Sequence, residues 1–147
     1  MNILFKDVMT VYNCWRDPDT EKAIWNRTVV KGIQWRHNKT EIITENGVQT
    51  ERKVEGITID FQRNYGNKQY LPPNEYRKLP VEKITEYWTL DAQSGQDMLV
   101  LGESEKEISR EYRLSELQKD FQYAVTVSAV SDNRTGLRLK HIGVTGK

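Results

Sequence analysis

Few side chains in this sequence can titrate near neutrality or act as strong nucleophiles: two histidines, His37 and His141, and one cysteine, Cys14. Metal binding needs several ligands at short, regular spacing. Neither histidine belongs to a His-x-x-x-His pair, and Cys14 has no second thiol. No Gly-x-Ser-x-Gly elbow, phosphate-cradling glycine loop or dinucleotide fingerprint occurs. Glu103, Glu105 and Glu107 are the right type for a general acid and base, but in a polar run they read as a solvated surface. The expectation is a protein without catalytic, metal or cofactor residues. A lone cysteine cannot close an internal disulfide, which suits a reducing compartment, and Cys14 reads as a small, half-buried hydrophobe.

Aromatic residues beside basic ones carry a different chemistry, the stacking and neutralising of a single-stranded nucleic acid. Arg63-Asn64-Tyr65 with Lys68 and Tyr70 is one such cluster, and Arg134 with Arg138 and Lys140 is a second basic one. The overall charge does not support a phosphate-tracking groove, because 22 basic residues face 21 acidic ones. A further aromatic group, Tyr65, Tyr70, Tyr76, Tyr87 and Trp88, lies in one stretch broken by Gly66, Pro72, Pro73 and Pro80. Its rings either pin a long loop onto the body or form a protein contact surface, where Tyr and Trp are favoured.

The elements that position these residues are mostly strands. Residues 25–61 read as one long hairpin turning at Asn46-Gly47, since both central positions of a type I′ turn need positive φ. A two-residue loop pairs Glu45 with Val48, and carried to the base this register sets Ile57, Ile59 and Phe61 on the opposite face from Ile33 and Trp35. Either both faces are covered in this region or a bulge shifts the pairing by one, with Gly32 and Gly56 as natural places for it, and the bulge is the expected solution. Residues 38–54, with Glu41, Glu45, Glu51 and Arg52 around the turn, then form a solvated arm, and Glu41, Glu45, Asn46, Gly47, Glu51 and Arg52 are candidate contact residues.

Residues 7–15 form a first strand, partly apolar on both faces. Pro73 can open a single helical turn within the loop at 62–90. Residues 97–103 are a short buried strand, and Ser115 caps a short helix over 115–121. A second hairpin closes the chain, with a bulge expected near His141 where the apolar parity switches. A chain of 147 residues buries roughly 68–70% of its unfolded surface, enough for one core. The prediction is a single mainly-β domain over 1–147, an antiparallel β-barrel or sandwich with a long protruding hairpin and one short α-helix. No run approaches the ~20 apolar residues of a membrane span. The N-terminal Met1-Asn2-Ile3-Leu4-Phe5-Lys6-Asp7 lacks a signal-peptide pattern, so a protein used without secretion and without a membrane partner is expected.

Several segments taken together resemble a known group. These are Asp7-Val8-Met9-Thr10-Val11-Tyr12-Asn13, Trp25-Asn26-Arg27-Thr28-Val29-Val30-Lys31-Gly32-Ile33-Gln34-Trp35 and Gly66-Asn67-Lys68-Gln69-Tyr70-Leu71-Pro72-Pro73-Asn74-Glu75-Tyr76. They continue with Asp97-Met98-Leu99-Val100-Leu101-Gly102-Glu103, Asp132-Asn133-Arg134 and Leu139-Lys140-His141-Ile142-Gly143-Val144-Thr145-Gly146. The pattern resembles the small head-tail connector proteins, of the stopper or head-completion kind, encoded among the head and neck genes of tailed phages and prophages of Gram-positive bacteria. The resemblance implies a β-barrel subunit of a homo-oligomeric ring between portal-adaptor complex and tail. Such a ring helps close the channel through which double-stranded DNA passes, and it belongs to the virion, assembled in the cytoplasm of the bacterial host. A tail-terminator or adaptor subunit at the same junction is the alternative, and a small barrel binding single-stranded nucleic acid is the alternative of another class.

Overall fold

The computed structural model describes residues 6–60, 68–93, 97–108, 114–121, 123–132 and 141–146. Its strands are β1 (Asp7–Arg16), β2 (Ala23–Glu45), β3 (Val48–Asp60), β4 (Gln69–Tyr70), β5 (Tyr87–Trp88), β6 (Met98–Leu101), β7 (Ala124–Asp132) and β8 (His141–Gly146). Six of them close an antiparallel barrel in the order β1-β2-β3-β8-β7-β6, and β6 pairs back onto β1. The remaining two, β4 and β5, form a separate parallel pair. The expected mainly-β fold is therefore a barrel rather than an open sandwich.

Alternation along the strands fills it. Met9 and Val11 on β1, Val30, Ile33 and Trp35 on β2, Ile57 and Ile59 on β3, Leu99 on β6, Val125 and Val127 on β7 and Val144 on β8 make one buried cluster. A barrel this narrow leaves room only for side chains.

The hairpin register supplies the shift that the sequence required. Glu45 pairs with Val48 and Lys39 with Val54, but Arg36 pairs with Gly56 and Ile33 with Ile59. His37 and Asn38 therefore stand opposite Glu55 alone, a bulge that returns Ile33, Trp35, Ile57 and Ile59 to one face. Its place is neither Gly32 nor Gly56. Gly32 bulges in the other ladder, where Asp7 pairs with Ile33 but Val8 with Lys31, and it adopts φ 74°. In the described part of the closing hairpin a shift lies on β7 at Ser128, because Val127 pairs with Gly146 and Ala129 with Thr145, and the bulge expected near His141, between Leu139 and Ile142, falls partly outside the described residues. Residues 133–140 of that hairpin lie outside the described residues.

Among the described residues there are two short α-helices where one was expected. The turn at α1 (Pro73–Tyr76) has Pro73 in its first turn, where a missing N–H costs nothing, and α2 covers Leu114–Asp120. A single 3-10 turn spans Ile84–Glu86. Leu117 of α2 packs on the outer face of the barrel against Tyr12, Met98 and Val100, so β1 and β6 are covered on both faces. Among the described residues no helix is long and apolar enough to cross a membrane.

Candidate functional site

Two features stand out from the filled barrel: a bare arm at one end and a plug at the other. Beyond the bulge, residues 39–54 pair only with each other among the described strands. Pairing of β1 with β2 stops at Ile33, and pairing of β8 with β3 stops at Glu55. At a rise of about 3.4 Å per residue the ribbon reaches ~24 Å beyond the bulge. Asn46 and Gly47 turn it with φ 51° and 79°, as a type I′ turn demands. Glu45, Asn46 and Gly47 are exposed at the tip. So are two large apolar residues, Ile42 at 65% and Val48 at 63%. The side chains of Glu41, Glu51 and Arg52 lie outside the described residues, although their backbone is paired in the arm.

The long loop covers the opposite end, where β1 finishes, β2 begins and β6 begins. Trp88, Leu90 and Tyr70 join the barrel cluster, with Trp88 fully buried. Tyr76 and Ile84 bury against Trp15, with Tyr87 half-buried beside them. Tyr70 and Trp88 meet edge to face at 5.0 Å between centroids. Four of the five candidate aromatic residues, Tyr70, Tyr76, Tyr87 and Trp88, thus spend their rings on the barrel, and Tyr65 lies outside the described residues. Of the two readings of these rings, this burial is the one in which they pin the loop onto the body, because a β-barrel with an open end has apolar interior to cover.

Polar side chains tie the plug down, and sequence reasoning missed most of them. Asn26, on the inner face of β2, donates to the carbonyls of Ile84 and Tyr87, both at 2.8 Å, and to the Tyr76 hydroxyl at 3.1 Å. Burial pushes the Tyr76 phenol up to about 12. Asn13, on the inner face of β1, donates to the Thr89 carbonyl and to Asp97, and accepts from the Thr89 amide. Asp97 also accepts from the amides of Cys14 and Asp91, each within 3.0 Å. Burial raises its carboxyl to about 6 against these N–H donors, which pull the other way. The signal was parity: Asn13 shares a face with Met9 and Val11, and Asn26 with Thr28 and Val30. A buried polar residue must find partners.

Lys68 is held as firmly. Its ammonium donates to Asn26 Oδ1, the Arg27 carbonyl and Thr28 Oγ1 at 2.6 to 3.2 Å. Burial lowers its pKa, and the neighbouring Arg27 adds to the effect. All three donors of this ammonium are satisfied internally. With Tyr70 also turned inward, two of the five residues in the first basic-aromatic cluster are engaged within the fold. Arg63, Asn64 and Tyr65 lie outside the described residues, as do Arg134, Arg138 and Lys140. Cys14 is half-buried, and burial pushes its thiol up, away from the reactive thiolate. Among the described residues, no three His, Cys, Asp or Glu side chains are grouped to hold a metal.

Next to the plug runs an open groove of about 380 Å³, with Tyr70, Pro73, Leu90 and Val130 in its walls and Arg77 beside it. Arg77 grips Asp91 through Nε and Nη2 at 3.0 and 2.7 Å.

Residues 4–147 match the model of a family of unknown function, DUF6751. The chain belongs to that family. No curated protein and no solved structure matches it. The match of the DUF6751 model takes in barrel, arm and plug together, so these features fall within one family unit.

Proposed function

We propose that this chain is a structural subunit of the neck of a tailed phage, a head-tail connector that forms a ring between portal-adaptor complex and tail and helps close the DNA channel. The observation that carries the reading is the arm. A two-stranded ribbon standing free of its barrel is marginally stable alone and presents two open edges with exposed Ile42 and Val48. Such an element gains partners by strand addition, which is how subunits clasp one another in assemblies. The plugged, side-chain-filled barrel fits the same reading. Duplex DNA cannot thread a six-stranded barrel, so any channel lies at the centre of the ring, between subunits. A tail-terminator or adaptor subunit at that junction would use the arm in the same way. In this reading the protein resides in the virion after assembly in the host cytoplasm.

Deletion of residues 41–52 tests it. The cut lies wholly beyond the bulge, so the barrel should keep its thermal midpoint while ring assembly or completion of infectious particles is lost. Intact infectious particles carrying the deletion would refute the proposal.

A further inference from the structure

The arm and the groove lie at opposite ends of the barrel. Strand β2 runs from the plugged end, at Ala23, to the arm, while β7 runs from the arm end to Asp132 beyond the plug. Val130, in the groove wall, is on that far stretch of β7. Within the arm, Val48 faces Glu45 across the ladder and shares its side, whereas Ile42 points to the other. Val48 is largely exposed, and no described part of its own chain covers it. The groove offers a mixed wall: Pro73 and Val130, with Tyr70 and Leu90 largely buried behind them, the polar Asn74 and Gln93, and the guanidinium of Arg77, its side chain 49% exposed, beside the Asp91 carboxylate it holds. At about 380 Å³ it sits at the lower end of the range in which proteins bury compact ligands, and a valine with its turn fits such a space.

We propose that the arm tip of one copy seats in the groove of a second copy of this chain, with Val48 against Pro73 and Val130 and Glu45 facing Arg77. The inference rests on the reading of the chain as a self-assembling ring subunit and names the contact that builds the ring. Because donor and acceptor surfaces differ, a one-way contact is head to tail and gives a closed ring or an open filament, whereas a reciprocal exchange of arms between two copies would give a twofold dimer. The ring reading calls for the one-way contact. The charge pair sets register more than strength, since Arg77 is already shared with Asp91.

The test uses the full chain with Cys14 replaced by Ser. Molecules carrying Val48→Cys are mixed with molecules carrying Ala92→Cys, a position in the groove, and are oxidised. The expected product is a disulfide between the two kinds of molecule. Tip-to-tip linkage of Val48→Cys chains in preference to it would overturn the proposal. In parallel, light scattering follows mass against concentration for the parent chain, Val48→Asp and Ile42→Asp. Val48→Asp should raise the concentration for half-assembly at least tenfold, and Ile42→Asp should change it much less. A parent that assembles while Val48→Asp assembles equally well would overturn the groove contact and leave the ring reading standing. A parent that stays monomeric up to its solubility limit, and yields no mixed disulfide, would overturn the groove contact as the contact that builds the ring, and a parent that stays monomeric even with portal and adaptor supplied would overturn the ring reading as well.

Discussion

Gly146 lies near the end of β8 opposite Val127, and the space beside it is already taken. A Cβ at this position would collide with Cγ2 of Val125 and sit 2.9 Å from its Cβ. Gly146→Ala should therefore cost about 1–3 kcal/mol, read as a lower urea midpoint at unchanged slope. Asp97 sets a second expectation at this scale. Its folded pKa, about 6, lies above its ordinary value of 3.8, so the folded state binds the proton more tightly than the unfolded chain does. The stability that Asp97 contributes is complete below about pH 3.8 and is lost as pH rises through 6. A shift of this size is worth about 3 kcal/mol. Urea unfolding between pH 4 and 7 should show a downward slope of stability against pH in the parent relative to Asp97→Asn, whose residue 97 does not titrate. Parallel curves for the two proteins would show that Asp97 does not titrate in this window. Asp97 sits beneath the plug, whereas Gly146 pairs with Glu55 at the base of the arm.

At the scale of elements, the plug and the arm behave oppositely. The plug is bound by buried rings and by donors from Asn13 and Asn26, and Trp88 is its deepest anchor. Trp88→Ala leaves a cavity under the loop and should cost about 3–5 kcal/mol. Limited proteolysis should then cut within residues 68–93 at protease levels that leave the parent intact. Among its described residues the arm has no such anchors. Its turn chemistry was legible because Asn-Gly specifies positive φ at both positions, and its boundary was legible because the apolar parity fails unless one residue is added. The site of that addition was not legible. Glycine is the cheap residue for a bulge, yet the shift falls at His37 and Asn38, and Gly32 serves the neighbouring ladder instead. Which ladder a bulge belongs to depends on the strand lying alongside, and that strand is distant in sequence.

For the molecule as a whole, the closed barrel removes sheet edges from the body and leaves them on the arm. Amides of β1, paired on one side with β2 and on the other with β6, should exchange slowest, at a rate near that of global unfolding. Amides of residues 39–54 should exchange fastest among the strands in the isolated chain. Formation of the ring should slow the arm and leave β1 unchanged, measured by hydrogen exchange with mass detection. Equal protection of arm and β1 in the monomer would mean that the arm is packed on the body.

Read alone, the amino-acid pattern determined the mainly-β class, the Asn46-Gly47 turn, the arm beyond a one-residue register shift, and the short helix near 115–121. Each of these is written in local spacing: period-2 alternation, turn residues with positive φ, or apolar residues on one helical face, although Ser115, expected as the cap, lies inside the helix that starts at Leu114. Tertiary structure decided that the sheet closes between β6 and β1, that Tyr70, Tyr76 and Trp88 face inward, and that Asn13, Asn26, Lys68 and Asp97 carry the polar seam beneath the plug. The physical reason is the same in every case. A tyrosine in a proline-rich loop is equally suited to a partner or to the open end of its own barrel. Only the position of that end, set by strands far away in the chain, determines which of the two it meets.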